Sequence, residues 1–106
     1  MKTNRADRCC DLDDFVKAMA DESRQRILKL LEGGEMNVQE LTAHLGLSQP
    51  TVSYHLARLR QANMVTVRRE GRQAYYRANP ACAAECSQAI LRRFSPNRAA
   101  RRMGEK

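Results

Sequence analysis

Residues 48–61, Ser-Gln-Pro-Thr-Val-Ser-Tyr-His-Leu-Ala-Arg-Leu-Arg-Gln, constrain this chain most tightly, because they read as a capped helix with two unlike faces. Ser48 supplies an N-cap, and Pro50 sits in the first turn, where its missing N–H costs nothing. Val52, Leu56 and Leu59 recur at i, i+4 and i+7 and form an apolar stripe that must pack on a core. About half a turn away stand Tyr54 and Arg58, flanked by Thr51 and Ser53, with Gln49 at the N-terminal tip. Such side chains hydrogen-bond to phosphates and to base edges in a major groove. The stretch is therefore expected to be a DNA-recognition helix, with a plain amphipathic surface helix as the competing reading.

The segments before it prepare that helix. Leu12, Phe15 and Met19 suggest a first helix, with Asp11, Asp13 and Asp14 near its positive end. Asp21 can cap a second, apolar at Ile27, Leu28, Leu30 and Leu31 and ending at Gly33-Gly34. Asn37 followed by Glu40 resembles a capping box opening a third, which carries Val38, Leu41 and Leu45 on one face and stops at Gly46. Leu47 leads straight into the Ser48 cap. A short helix, a glycine-containing turn and a second helix with a polar N-terminal end make a helix-turn-helix.

Past Gln61 the period changes from helical to alternating. Val65 and Val67 face one way and Thr66 and Arg68 the other, with Glu70-Gly71 as a two-residue turn and Ala74, Tyr75, Tyr76 and Arg77 as the return strand. Arg68, Arg69 and Arg72 then cluster at a hairpin tip, which suits a wing touching DNA phosphates better than a merely solvated surface. Asn79-Pro80 is a cap followed by proline at the first helical position. The final helix runs to about Arg93 or Phe94 and is small along Ala81, Cys82, Ala83, Ala84, Cys86, Ala89 and Ile90, with Ser95-Pro96-Asn97 as its stop.

The expected organisation is one domain over 11–94, preceded by a flexible N-terminal arm (1–10) carrying Cys9-Cys10 and followed by a basic, disordered tail (95–106). A chain of 106 residues with 42% hydrophobic content has a modest core, so oligomerisation would help it. Its net charge of +7 favours an acidic polymer as partner. No apolar run reaches the ~18 residues of a membrane span, and Lys2, Arg5, Arg8 and Cys9-Cys10 do not make a signal peptide. A cytoplasmic, reducing location follows as an expectation, with no membrane partner, and there four cysteines point to metal or redox chemistry. The two histidines, His44 and His55, fall in the helix-turn-helix region and no phosphate-cradling glycine loop is present, so an enzyme and an organic cofactor are not expected.

The order helix, helix, helix-turn-helix, wing, helix, together with the wording, resembles the ArsR/SmtB family of dimeric winged-helix repressors. The likeness rests on Ala20-Asp21-Glu22-Ser23-Arg24-Gln25-Arg26-Ile27-Leu28, on Leu45-Gly46-Leu47-Ser48-Gln49-Pro50-Thr51-Val52-Ser53-Tyr54-His55-Leu56, and on Val67-Arg68-Arg69-Glu70-Gly71-Arg72-Gln73-Ala74-Tyr75-Tyr76. It covers about residues 12–93. The resemblance implies a mainly α fold with a β-hairpin wing, a winged helix-turn-helix dimerising through its first and last helices. It also implies that the fourth helix enters the major groove of double-stranded operator DNA and that the wing follows the backbone. By resemblance Gln49, Thr51, Ser53 and His55 become candidates for operator contact. Helical projection agrees for Thr51 and Ser53 but puts His55 near the buried edge. The candidate DNA-binding set is thus Ser48, Gln49, Thr51, Ser53, Tyr54, His55, Arg58, Arg68, Arg69 and Arg72.

Two effector sites familiar in that family are missing. Asn37-Val38-Gln39-Glu40-Leu41 stands where many arsenic and cadmium sensors have Cys-x-Cys followed by Asp-Leu, and no histidine follows His55 to build a zinc site on the last helix. The thiols are Cys9-Cys10 in the arm and Cys82 with Cys86 on the final helix, where i and i+4 neighbours have Cβ atoms roughly 5–6 Å apart. Cys82 and Cys86 alone read as small buried hydrophobes, whereas Cys9-Cys10 in a polar arm do not. If the first and last helices meet, as the resemblance implies, both pairs can converge into a metal(loid) site. All-sulfur ligation suits a thiophilic ion. Arsenite or antimonite is the expected inducer, held by Cys9 and Cys10 with Cys82 or Cys86; cadmium, lead, mercury or zinc on all four sulfurs is the alternative. Two further readings stay open: a Cys82–Cys86 bridge sensing oxidants or reactive sulfur, and a basic winged-helix module that binds RNA or protein and uses its cysteines only for packing.

Overall fold

A computed structural model of the chain describes residues 12–94. The arm with Cys9 and Cys10 and the tail over 95–106 lie outside the described residues. Among those described, five helices and a three-stranded antiparallel sheet follow in the order α1 (Leu12–Met19), α2 (Glu22–Leu31), β1 (Met36–Asn37), α3 (Val38–Leu45), α4 (Gln49–Gln61), β2 (Val65–Glu70), β3 (Gln73–Ala78) and α5 (Pro80–Phe94). This is the mainly α, winged helix-turn-helix arrangement expected, with one strand more.

Local capping chemistry sets the helix starts. The Asp21 carboxylate accepts from the Arg24 N–H at 3.2 Å, opening α2. Asn37 and Glu40 form a reciprocal capping box on α3, with bonds of 2.8 and 2.9 Å. Gly46, at φ 70°, ends α3 in the left-handed region that a side chain disfavours. Two residues later the Ser48 hydroxyl accepts from the Thr51 N–H at 3.3 Å and starts α4.

The far end of α4 closes with a motif invisible to residue periodicity. Asn63 takes φ 59°, its N–H bonds to the Arg60 carbonyl at 2.9 Å, and the Met64 N–H reaches back to Leu59 at 2.9 Å. That pair of bonds is a Schellman ending, with asparagine at the position glycine usually holds. It turns the chain into β2.

The sheet order is β1-β3-β2. Met36 pairs with Tyr76 and Asn37 with Tyr75, so the wing is stitched to the residues that open α3. On the other side Glu70 pairs with Gln73, which corrects the expected turn: Gly71-Arg72, not Glu70-Gly71, is the two-residue connection. Gly71 has φ 62° and Arg72 stays at negative φ, the glycine-first pattern of a tight hairpin turn.

Packing centres on the inner face of α4. Val52, Leu56 and Leu59 are fully buried with Ile27, Leu41 and Met64. Each side chain of leucine size so buried contributes about 1.5–3 kcal/mol of apolar transfer. That seam fixes α4 on α1, α2 and α3 and leaves its opposite face to solvent.

Candidate DNA interface

The outward face of α4 presents Gln49, Thr51, Ser53, Tyr54 and Arg58, all exposed, Tyr54 by 56%. Ser48 is exposed too, but its hydroxyl is engaged in the cap, accepting from Thr51 N–H and donating to Thr51 Oγ1 at 2.8 Å. Hydroxyl, amide, phenol and guanidinium groups thus project from the N-terminal two-thirds of a helix whose other face is locked in the core. Such a surface can place donors and acceptors against base edges and phosphates.

His55 belongs elsewhere. Its side chain is only 7% exposed, and Nδ1 lies 3.3 Å from Nη1 of Arg24. Arginine can only donate, so Nδ1 accepts and the imidazole proton sits on Nε2. Arg24, itself 8% exposed, also donates from Nε to the Ala18 carbonyl at 2.8 Å and from Nη2 to Lys17 at 3.2 Å. His55 thus sits at the buried edge of α4, where helical projection put it, and the guanidinium joins the end of α1 to the recognition helix. The Tyr54 ring stands edge-on to the imidazole, centroids 5.4 Å apart.

On the wing, Arg69 and Arg72 are exposed, and among the described residues neither has an ion-pair partner. Arg68 is engaged. Its Nε and Nη2 donate to Glu35 at 3.0 and 2.8 Å, its Nη1 to Glu70 at 2.6 Å, and its Cζ lies 4.8 Å from the Tyr75 ring centroid. The hydrogen bond from Arg68 holds the Glu35 carboxyl below its ordinary range, and Glu35, then Glu70, raise Arg68 in turn.

The described thiols are core residues. Cys82 is fully buried, and its sulfur donates weakly to the Ala62 carbonyl at 3.8 Å. Cys86, 4% exposed, is held in a disulfide. Among the described residues no group of three or more His, Cys, Asp or Glu can hold a metal ion. An ion site on α5 therefore needs Cys9 or Cys10, which lie outside the described residues.

The family model for bacterial regulatory proteins of the arsR family matches residues 21–67. Over 68 residues the chain is 37% identical to the transcriptional repressor SdpR of Bacillus subtilis, an overlap of 64% of this chain and 76% of that protein. The chain belongs to the ArsR family. It is also 48% identical over 65 residues to the arsenic resistance transcriptional regulator ArsR1 of Pseudomonas putida, an overlap of 60% of this chain and 51% of the relative, so it spans about half of that protein. Its fold matches the crystal structure of a possible transcriptional regulator for arsenical resistance, with TM-score 0.70 and 33% identity over 88% of this chain and 96% of that one. The ArsR family and these relatives are transcriptional regulators, not enzymes. No helix among the described residues is long and apolar enough to cross a membrane.

The ArsR match runs from the Asp21 cap through α4 into β2 and stops short of Cys82 and Cys86. Two structural participants escaped sequence reasoning. Arg24 was legible only as part of a family-like run, and Glu35 gave no local signal, because its partner is 33 residues away.

Proposed function

We propose that this ArsR-family chain is a homodimeric repressor that binds a near-palindromic operator in its apo form. Arsenite or antimonite, held by the thiolates of Cys9 and Cys10 with Cys82 or Cys86, releases it. The division of α4 into a fully buried stripe and an exposed polar face supports the DNA reading. Dimerisation is supported by α1 packing on α5 with Val16 and Leu91 left 48% and 61% exposed beside them. Recognition helices then address half-sites about 34 Å apart or a multiple of it. The arsenic-related name of the Pseudomonas relative and the soft donor set of this chain support the inducer.

Inducer binding would fasten the arm to α5 and disfavour the DNA-competent dimer, lowering operator affinity about 5- to 150-fold at a coupling of ~1–3 kcal/mol. Titration of reduced protein with arsenite, cadmium, lead and mercury, read by thiolate absorbance and operator binding together, tests this. Unchanged affinity with all four ions sinks it. Cys9→Ser or Cys10→Ser should abolish the response while apo binding persists. One observation favours a second reading: the disulfide at Cys86 suits a thiol-redox sensor. Comparing oxidised with reduced protein in the absence of metal separates the two.

A further inference from the structure

Arg68 lies on β2 directly across from Tyr75 of β3, and Tyr75 is directly across from Asn37 of β1. The Arg68 side chain therefore runs over the middle strand, its guanidinium above the Tyr75 ring, and reaches the carboxylate of Glu35 just before β1. Glu70, two residues on along the same face of β2, takes a further N–H. Guanidinium bridges of this kind combine a planar fork with stacking that lysine cannot reproduce. The bridge ends beside Asn37, whose side chain caps α3.

Charge balance decides what this group offers to DNA. The Arg68 guanidinium spends three N–H groups on the carboxylates of Glu35 and Glu70, and Arg77 also acts on Glu35, so the Arg68 charge is already neutralised and offers little to an approaching phosphate. Arg69 and Arg72 are exposed next to it with no carboxylate partner among the described residues. From this we infer that Arg68 is a positioning residue: with Glu35 and Glu70 it straps the wing to the start of α3, and Arg69 and Arg72 take the phosphate backbone. The inference rests on the DNA-binding reading and changes its residue assignment. Arg68, expected from the sequence to touch DNA, instead sets the angle at which its neighbours do so, and Glu35 shares that role.

Salt dependence of binding to a mixed-sequence DNA duplex tests it, because each phosphate contact contributes about 0.9 to the slope of log K against log salt concentration. Arg69→Gln and Arg72→Gln should each make the slope shallower by about 0.9. Arg68→Gln, Arg68→Lys and Glu35→Gln should leave the slope unchanged and weaken binding about two- to five-fold, the range an exposed ion pair supports. The double variant Arg68→Gln with Glu35→Gln should be no weaker than either alone. The proposal is overturned if Arg68→Gln flattens the slope, if Arg68→Lys binds like wild type, or if Glu35→Gln frees Arg68 and steepens the slope.

Hydrogen exchange at the Met36–Tyr76 pairing provides a readout without DNA. It should quicken in Arg68→Gln and Glu35→Gln, and unchanged exchange refutes the strap. Quickened exchange in these variants, with wild-type protein that binds no duplex, would instead refute the DNA reading and leave the strap standing.

Discussion

Replacing Arg24 by alanine should damage this protein more than any other substitution of a charged residue on α2. The side chain is 8% exposed and spends its donors on the Ala18 carbonyl, the Lys17 carbonyl and His55 Nδ1. The bonds to Ala18 and His55 are buried, whereas the Lys17 carbonyl is only part-buried and can rehydrate. Leaving a buried acceptor unpaired costs about 1–3 kcal/mol, so two such acceptors give roughly 2–6 kcal/mol. A domain of this size has ~5–15 kcal/mol in all, and 1 kcal/mol moves its midpoint by about 4–8 °C. Thermal unfolding followed by circular dichroism, at one fixed protein concentration, should show Tm lower by roughly 8 °C or more. Arg24→Lys should recover little, because a single ammonium cannot fork between α1 and α4. A double-mutant cycle with His55→Phe should return a coupling of about 0.5–3 kcal/mol. A loss under about 1 kcal/mol, or full recovery with lysine, would refute the claim that this guanidinium ties α1 to the recognition helix.

Neighbouring positions on α4 should behave oppositely. Leu56→Ala, at a fully buried site, should cost about 2–5 kcal/mol in urea unfolding. Tyr54→Ala should stay within about 0.5 kcal/mol yet weaken operator binding in a gel-shift titration. Gly46→Val places a β-branched residue at φ 70° and should destabilise by about 1–2 kcal/mol or more, seen as a lower denaturant midpoint. The carboxyls of Asp21 and Glu35 titrate below their ordinary values of 3.8 and 4.5. For Asp21, burial opposes ionisation but the backbone N–H groups of Arg24 and Ser23 outweigh it; for Glu35 the bond from Arg68 dominates. A depressed folded value means stability that is present above the unfolded pKa and lost as pH falls through the folded one. Unfolding curves across acid pH should decline below about pH 4, and Asp21→Asn should make that decline shallower.

What could be read in advance was what the chain writes locally. Asp21, Asn37 with Glu40, Gly46 and Ser48 announce helix ends because a cap and its backbone partner lie within four residues. The alternation of α4 between core and solvent was equally open to view, and with it most of the candidate DNA face. Features set by distant partners were not. β1 is two residues long and exists only because Tyr75 and Tyr76 pair with it. The hairpin turn lay one residue further on than expected, since the register is fixed by strand pairing as well as by the glycine. Arg24 looks like any helix-surface charge until α1 and α4 close around it. Arg68 looks like a phosphate ligand until Glu35 arrives from the far side of the sheet. The proposed inducer site was only half accessible: the family model's match ends before Cys82 and Cys86, and Cys9 and Cys10 fall outside the described residues.

The hairpin leaves the helical body at Met64 and returns at Asn79, and those two points are fastened together. The Asn79 N–H bonds to the Met64 carbonyl at 2.9 Å, and its side-chain amide bonds to the Asn63 carbonyl at 2.9 Å. Past the Arg68–Tyr75 pair that ties the wing to β1 and Glu35, the tip can change length without disturbing what it springs from. Doubling a closed loop adds only about 0.6 kcal/mol of closure entropy, so the tip can be lengthened or shortened. Reach along the DNA backbone is thereby a property that selection can alter separately from the core on which the recognition helix stands.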